Sequence, residues 1–197
     1  MPRDSRSRMV ESAAVLIATK GIAATSLTDV LEASGAPRGS IYHHFPNGKR
    51  ELARDAMRWT QAQVLSYQSQ CSSATPAGVI DHFVDLFRQS MISSKCRAGC
   101  PVAGVLVDTY SEEDGLMRIG RESFRAWIAS LTGQFRARGV TSKEARSLAL
   151  TTVASVEGAI ILCRAEGRVG PLDQVNADLR ALAATKVRGQ GPQSGRG

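Results

Sequence analysis

The chain has 197 residues, of which 43% are hydrophobic and 22% are charged, a balance that is typical of folded globular proteins and excludes an intrinsically disordered chain. Its 25 Lys and Arg against 18 Asp and Glu give a formal net charge of +7. This charge favours a polyanionic partner without choosing between nucleic acid and anionic lipid. No apolar run approaches the roughly 18 residues that span a bilayer, and Glu11, Ser12 and Lys20 interrupt the first apolar stretch, so no membrane span or signal peptide is predicted. We therefore expect a soluble cytoplasmic protein with no membrane partner.

The cysteines fit the same compartment. Cys71, Cys96, Cys100 and Cys163 are expected to be reduced thiols, because nothing in the sequence directs the chain to an oxidising environment. Cys96 and Cys100 are spaced so that both could hold a metal, but a zinc site needs about four ligands and there is no second close pair. We predict no metal and no cofactor, and a redox or metal role for Cys96 and Cys100 stays open.

Apolar residues recur at helical spacing along the chain, without the sustained alternation that is typical of strands. The sequence therefore predicts an all-α fold. Glycine and proline mark most of the helix ends. The expected helices run from about 7 to 20, 27 to 34, 38 to 45, 49 to 71, 76 to 91, 102 to 110, 124 to 135, 142 to 166 and 172 to 182.

Residues 26–45 contain two short helices joined by a tight turn at Gly35. This is the layout of a helix-turn-helix, in which the first helix braces the second and the second enters the major groove. The first helix opens with a possible capping box at 26–29. The small core expected between these helices and the preceding one is formed by Val30, Leu31, Ile41 and Phe45.

The opposite face of this helix pair carries the chemistry of DNA contacts. Arg38 can make a bidentate contact with guanine, and Ser40 and His43 lie beside it. The start of the first short helix offers backbone N–H groups to a phosphate. The residues predicted to contact phosphate are Thr25, Ser26, Thr28, Tyr42, His44 and Lys49, and further positive charge lies at Arg3, Arg6 and Arg8.

Three motifs at fixed separations resemble the TetR family of one-component transcriptional regulators. They are SLTDV at 26–30 with Gly35, GSIYHHF at 39–45, and KREL at 49–52. The resemblance covers residues 5–63. A second similarity, carried by GCPVAG at 99–104 and EGA at 157–159, is to the branch of the family named for LmrA and YxaF.

The resemblance implies an N-terminal three-helix DNA-binding domain over residues 1–63 and a C-terminal ligand-binding and dimerisation domain over 64–186. Residues 187–197 form a tail that is expected to be disordered from its composition. It also implies a homodimer that regulates transcription, most commonly by repression, and no enzymatic activity. By carry-over onto matching positions, Arg38, Gly39, Ser40 and His43 would line the major groove, and Tyr42 and Lys49 would contact the DNA backbone.

Large apolar side chains in the second half are candidates for the lining of an effector pocket. Most must be ordinary core, but together they favour a small, largely apolar effector. Asp108, Glu157 and Cys163 interrupt the apolar segments, and each either orients a ligand or faces solvent or a partner subunit. The candidate pocket residues are Phe83, Phe87, Met91, Leu106, Tyr110, Phe124, Trp127, Leu131 and Cys163.

The last two helices offer more apolar surface than one core needs. Two helices from each subunit would form a four-helix dimer interface. A two-fold dimer would place its recognition helices about one DNA turn apart, ~34 Å or more, and would therefore bind a palindrome in double-stranded DNA. The predicted interface residues are Val153, Val156, Glu157, Gly158, Ile160, Val175, Leu179 and Leu182.

The long helix that begins near Lys49 connects both domains. We expect effector binding to act through it, by favouring a spacing of the two DNA-binding heads that releases the operator. Two other functions stay open. The first is a small helical enzyme, which is disfavoured because the histidines, His43, His44 and His82, form no Ser-His-Asp or Cys-His arrangement. The second is a constitutive DNA binder that does not respond to an effector. It would be recognised by a C-terminal cavity that its own side chains fill.

Overall fold

The computed structural model describes residues 4–109 and 115–186, and all regular secondary structure within these ranges is helical. The predicted all-α fold is confirmed. Arg3, Tyr110 and the predicted tail at 187–197 lie outside the described residues. The helices are α1 (Ser5–Ala24), α2 (Leu27–Ser34), α3 (Ser40–His44), α4 (Gly48–Ser69), α5 (Pro76–Ser93), α6 (Pro101–Val107), α7 (Leu116–Arg136), α8 (Ser142–Glu166) and α9 (Gly170–Lys186).

Glycines with positive φ end the first two helices where the sequence predicts. Gly21 adopts φ 80° and ψ 166°, so the regular part of α1 stops at Lys20 and a single distorted turn follows. Gly35, at φ 63°, ends α2. The capping box is confirmed, since the Ser26 hydroxyl accepts from the Asp29 N–H at 3.0 Å and the Asp29 carboxylate accepts from the Ser26 N–H at 2.8 Å.

Helices α3 and α7 begin at other residues than predicted, for reasons that the structure shows. α3 begins at Ser40 rather than Arg38, because residues 37–40 form a turn in which the Ser40 N–H donates to the Pro37 carbonyl at 2.9 Å. α7 begins at Leu116, well before Phe124, because Leu116 and Ile119 extend its buried face.

One hydrophobic core runs through both halves of the chain. Helix α1 packs on α2, α4 and α6, while α8 packs between α7 and α9, and α9 packs on α5. Helix α4 continues without a break past residue 63 and packs on α7. The predicted domain boundary therefore falls inside a continuous helix that belongs to both halves.

Helix α8 is long and apolar enough to cross a membrane by length and composition. In the structure 44% of its most apolar stretch is buried inside the protein. Its exposed side carries Leu150, Ile161 and Leu162, each more than half exposed. The helix is thus a core helix with one apolar side left uncovered within the protomer.

Candidate nucleic-acid interface

Helix α3 is anchored by its buried side. Ile41 and Phe45 are at most 1% exposed, as predicted, and the Phe45 N–H donates to the Ile41 carbonyl at 2.8 Å. The guanidinium of Arg6 lies 5.0 Å from the centre of the Phe45 ring, which adds a cation–π contact. Five residues do not form a stable helix alone. The helix therefore depends on these buried contacts, which also fix its orientation.

The other side of α3 faces solvent. Arg38, Gly39 and His43 are exposed, and Tyr42 is 68% exposed. An open cleft of about 620 Å³ between α2 and α3 is lined by residues that include Thr28, Arg38 and Tyr42. The structure therefore brings these predicted DNA contacts to one surface. The exposed ring of Tyr42 on this surface carries a hydroxyl that can form hydrogen bonds.

At the start of α2, more polar groups are hydrogen-bonded within the protein than the sequence suggests. The Ser26 hydroxyl and backbone N–H are both engaged with Asp29. The ammonium of Lys20 lies 2.7 Å from the Asp29 carboxylate, and this pairing, followed by the Ser26 hydrogen bonds, holds the pKa of Asp29 well below its ordinary value. Thr28 at this helix start is exposed to solvent.

Thr25 is a correction to the sequence prediction. Its side chain is 3% exposed, and its hydroxyl donates to the Gly21 carbonyl at 2.7 Å. It therefore closes the turn after α1 rather than presenting its hydroxyl to DNA. Ser40 has a similar local role, since its hydroxyl donates to the Pro37 carbonyl at 2.6 Å, although its side chain is partly exposed.

Several basic side chains that the sequence predicts to face DNA form contacts within the DNA-binding domain. The ammonium of Lys49 donates to the Ala23 carbonyl at 2.8 Å, which fixes its position at the start of α4. Arg6 forms an ion pair with Asp55, and the Arg8 Nε donates to the Ser34 carbonyl at 3.1 Å. Arg6 and Arg8 thus tie α1 to α4 and α2, and their first role is structural rather than a free basic arm.

Residues 10–56 match the model of the bacterial regulatory proteins of the TetR family, and residues 76–178 match that of the C-terminal domain of LmrA/YxaF-like transcriptional regulators. The chain belongs to the TetR family. The HTH-type regulator Rv0196 of Mycobacterium tuberculosis (strain ATCC 25618 / H37Rv) is 36% identical over 187 residues, which cover 92% of this chain and 95% of that protein. YxaF of Bacillus subtilis (strain 168) is 30% identical over 185 residues, covering 93% and 97%.

The fold is that of solved TetR regulators. The TetR transcriptional regulator of Legionella pneumophila superposes with a TM-score of 0.83 at 24% identity, covering 93% of this chain and 100% of that one. The resemblance to the LmrA/YxaF branch is confirmed. The protein is thus a DNA-binding transcriptional regulator of the TetR family, and this family consists of regulators rather than enzymes.

The predicted effector residues form a packed core. Phe83, Met91, Trp127, Leu131 and Cys163 are at most 1% exposed, and burial raises the pKa of the Cys163 thiol. The remaining described candidates lie at the edge of this core and are partly buried; they are Phe87, Leu106 and Phe124. The expectation for Tyr110 falls outside the described residues.

Leu106 occupies space that is free because residue 120 is a glycine and has no side chain. It packs directly over Gly120 of α7, where an added Cβ would lie 2.5 Å from its Cδ2. Glycine at 120 therefore lets α6 approach α7 closely. This contact is part of what holds α6 against α7.

Glu157 of α8 is partly buried and interacts with the thiol of Cys100, the residue that caps α6. Burial raises the pKa of Glu157 to about 7, and the Cys100 interaction offsets this only in part. Burial, and then the charge of Glu157, raise the pKa of Cys100 well above its ordinary value. The pair is thus a carboxyl that titrates near neutral pH beside a thiol that stays protonated.

The predicted dimer residues divide into two groups. Val153, Val156, Ile160 and Leu179 are at most 4% exposed and belong to the protomer's own core, which corrects their assignment to a dimer surface. The partly buried residues are Glu157, Val175 and Leu182, and Gly158 is exposed. Leu150, Ile161 and Leu162 are exposed apolar side chains of α8 that the sequence prediction did not name, because a helix that is apolar all round gives no indication of which side the core covers.

The four thiols are free within the described ranges. Cys96, Cys100 and Cys163 are buried and Cys71 is partly buried. In the described part of the chain, no group of three or more His, Cys, Asp and Glu residues is arranged to hold a metal.

Proposed function

We propose that this regulator is a homodimeric, cytoplasmic repressor that binds a palindromic operator and releases it when a small, largely apolar effector binds. The observation that carries the operator contact is the solvent-exposed surface of α3 and of the turn before it. Tyr42 and His43 on α3 and Arg38 in the turn are exposed there, while Ile41 and Phe45 are buried on the opposite side. A helix anchored on one side and exposed on the other is the form in which side chains reach base edges.

The exposed residues differ in role. Arg38 reads a base through its paired N–H donors, and His43 lies beside it on the groove-facing side. Tyr42 and Thr28 contact phosphates through their hydroxyls. Gly39 allows the backbone to approach the DNA, since an added Cβ would meet nothing within the protomer.

Lys49 acts differently from these residues. Its ammonium already donates to the Ala23 carbonyl, and two N–H donors remain for a phosphate. We therefore assign Lys49 to the DNA backbone, with a position set by the end of α1.

The dimer forms through an exposed strip on α8 that we call the α8 seam: Leu150, Ala154, Gly158, Ile161, Leu162 and Ala165. These residues recur every three or four positions and so share one side of the helix. Gly158 supports this assignment independently. Glycine inside a helix costs about 1 kcal/mol relative to alanine, yet an added Cβ at 158 would meet nothing within 4 Å of the protomer. The close approach that would justify glycine there therefore comes from a second copy.

Leu162→Arg tests the dimer. A charge in the centre of an apolar helix interface lacks a partner and water, so the variant should be monomeric in sedimentation equilibrium at micromolar concentration. Ile92→Arg is the matched control, because Ile92 is equally exposed but belongs to α5 and not to the α8 seam. A Leu162→Arg protein that sediments as a dimer would refute the α8 seam.

We assign a separate function to each of the predicted domains. Residues 1–63 bind DNA, residues 64–186 bind the effector and the second subunit, and α4 connects the two. The partly buried Phe87, Leu106 and Phe124 at the edge of the core are where an apolar effector would first enter, and displacement of Leu106 from Gly120 would loosen α6.

A constitutive DNA binder is the second candidate, and one observation favours it. The centre of the predicted pocket is filled by its own side chains, including Phe83, Trp127 and Leu131. The two functions are separated by titrating the protein–DNA complex with a panel of planar aromatic compounds and following the DNA by fluorescence anisotropy. Release by any compound that also shifts the melting temperature supports the effector-controlled repressor.

The DNA contacts are tested with a duplex that the wild-type protein selects from a randomised pool. Arg38→Ala should lose about 1–3 kcal/mol of discrimination between the selected duplex and one altered at the contacted base. Lys49→Ala should weaken binding to both duplexes alike and reduce the slope of log K against log salt by about 1. Unchanged affinity and salt slope in both variants would refute these assignments.

A further inference from the structure

The C-terminal end of α1 meets the second half of the chain. A helix leaves its last four carbonyls without partners inside the helix. Because the regular part of α1 stops before Gly21, the carbonyls of Ala18 and Thr19 belong to this group.

Groups from the second half satisfy these carbonyls. The Gly99 N–H donates to the Ala18 carbonyl at 2.6 Å. Arg164, near the end of α8, donates to the Ala18 carbonyl at 3.4 Å and to the Thr19 carbonyl at 3.3 Å. We call these four residues the α1 latch. A cation at the carbonyl end of a helix is also favoured by the helix dipole.

A side chain at residue 99 would displace the Arg164 guanidinium from the latch. A Cβ added to Gly99 would lie 2.8 Å from the Arg164 Nη1 and 3.4 Å from the Ala18 carbonyl oxygen. The next residue, Cys100, caps α6 and interacts with Glu157 on α8. The short loop before α6 is thus tied to α1 on one side and to α8 on the other.

We propose that Arg164 is a positioning residue for DNA recognition: the α1 latch fixes the angle between the helix-turn-helix and α8, and so sets the distance between the two recognition helices of the dimer. The inference rests on the proposed function, since the distance has meaning only in a dimer that forms through the α8 seam. Arg164 lies two residues from Leu162 of that seam, so the same turn of α8 contacts both the partner and the DNA-binding domain. Without this contact, the DNA-binding domain turns about α4, and the dimer binds half-sites at several spacings.

The test measures selectivity for half-site spacing in the full-length protein. The probe is a duplex carrying two half-sites selected in vitro by the wild-type protein, rebuilt with the central spacer shortened or lengthened by one and two base pairs. Wild type should prefer one spacer, and Arg164→Ala should lose about tenfold of this preference while still binding each half-site. Arg164→Lys should recover part of it, because an ammonium reaches one carbonyl but not both.

Two further variants sharpen the result. Gly99→Ala should loosen spacing selectivity in the same direction, since its Cβ displaces the Arg164 guanidinium. Arg146→Ala is the matched control, because it removes an exposed arginine from the other end of α8 and should leave the spacing preference unchanged. Equal spacing preference in wild type and Arg164→Ala would overturn the inference.

A measurement without DNA separates this inference from the proposed function. In amide hydrogen exchange, the Gly99 N–H should be protected in wild type and should exchange at least about tenfold faster in Arg164→Ala, whose latch is incomplete. An unprotected Gly99 amide in wild type would refute the latch itself. A wild-type protein that selects no duplex, or that is monomeric, would instead refute the proposed function.

Discussion

Glu157→Gln should raise the stability of the protein, and the gain should grow with pH. Glu157 is partly buried on α8, and burial raises its pKa from an ordinary 4.5 to about 7. Glutamine has nearly the same shape, accepts the interaction with Cys100 and carries no charge at any pH. The substitution therefore isolates the cost of holding a carboxylate at this place.

The size of the effect follows from the two pKa values. Between about pH 4.5 and pH 7, the folded protein holds a proton on Glu157 that the unfolded chain has released. The favourable contribution of this group is therefore complete below pH 4.5 and is lost as pH rises through 7. Each pKa unit corresponds to about 1.36 kcal/mol, so the Glu157→Gln variant should gain at most about 3 kcal/mol over wild type by pH 8.

Urea denaturation at pH 5, 6, 7 and 8, followed by circular dichroism, measures this difference. Glu166→Gln is the control on the same helix, because it removes a carboxylate that is exposed and so lacks the burial on which the prediction for Glu157 rests. A Glu157→Gln stability difference that is flat between pH 5 and pH 8 would refute the assignment of a raised pKa to burial at this position.

Two further substitutions test the packing and the capping. Gly120→Ala should destabilise the protein by about 1–3 kcal/mol in urea denaturation, because its Cβ would overlap Leu106; Gly133→Ala, which meets nothing within 4 Å on the same helix, should instead be neutral or stabilising by up to about 1 kcal/mol. Ser26→Ala should lower stability by about 1 kcal/mol, because α2 loses its side-chain cap. Equal stabilities for the two glycine variants, or an unchanged midpoint for Ser26→Ala, would contradict these expectations.

The DNA-binding domain was predictable because its signals are local. The capping box at 26–29, the glycine that ends α2 and the alternation of buried Ile41 and Phe45 with exposed Tyr42 all lie within one or two turns of the chain. Such patterns fix a helix pair without knowledge of distant contacts. The sequence therefore predicted both the element and the side of it that is exposed to solvent.

The roles of the polar side chains were harder to predict, because they depend on carbonyls that the turns expose. Thr25 and Lys49 have the chemistry of phosphate contacts, but the kink at Gly21 frees carbonyls in the following turn that their side chains bind. A sequence pattern does not show which backbone groups lack partners inside a helix. The α1 latch at Arg164 escaped prediction for the same reason, since its acceptors lie 146 and 145 residues away.

The proposed dimer surface could not be predicted from periodicity alone. Helix α8 is apolar on nearly every side, so Val153 and Ile160 looked as suitable for an interface as Leu150 and Leu162 did. Packing against α7 and α9 decides the question, because it buries the first pair and leaves the second pair in solvent. Only the tertiary arrangement separates the core side of such a helix from its partner side.

Three consecutive residues of α8 show how one helix joins the separate parts of the molecule. Successive side chains on an α-helix point about 100° apart. Leu162 is exposed on the α8 seam, Cys163 is fully buried in the core, and Arg164 reaches the end of α1. A rotation of α8 that improves its contact with a second subunit must therefore also move Arg164 and repack Cys163. In the proposed dimer, the contact between subunits, the core around Cys163 and the angle of the DNA-binding domain would therefore be coupled through α8 as well as through α4.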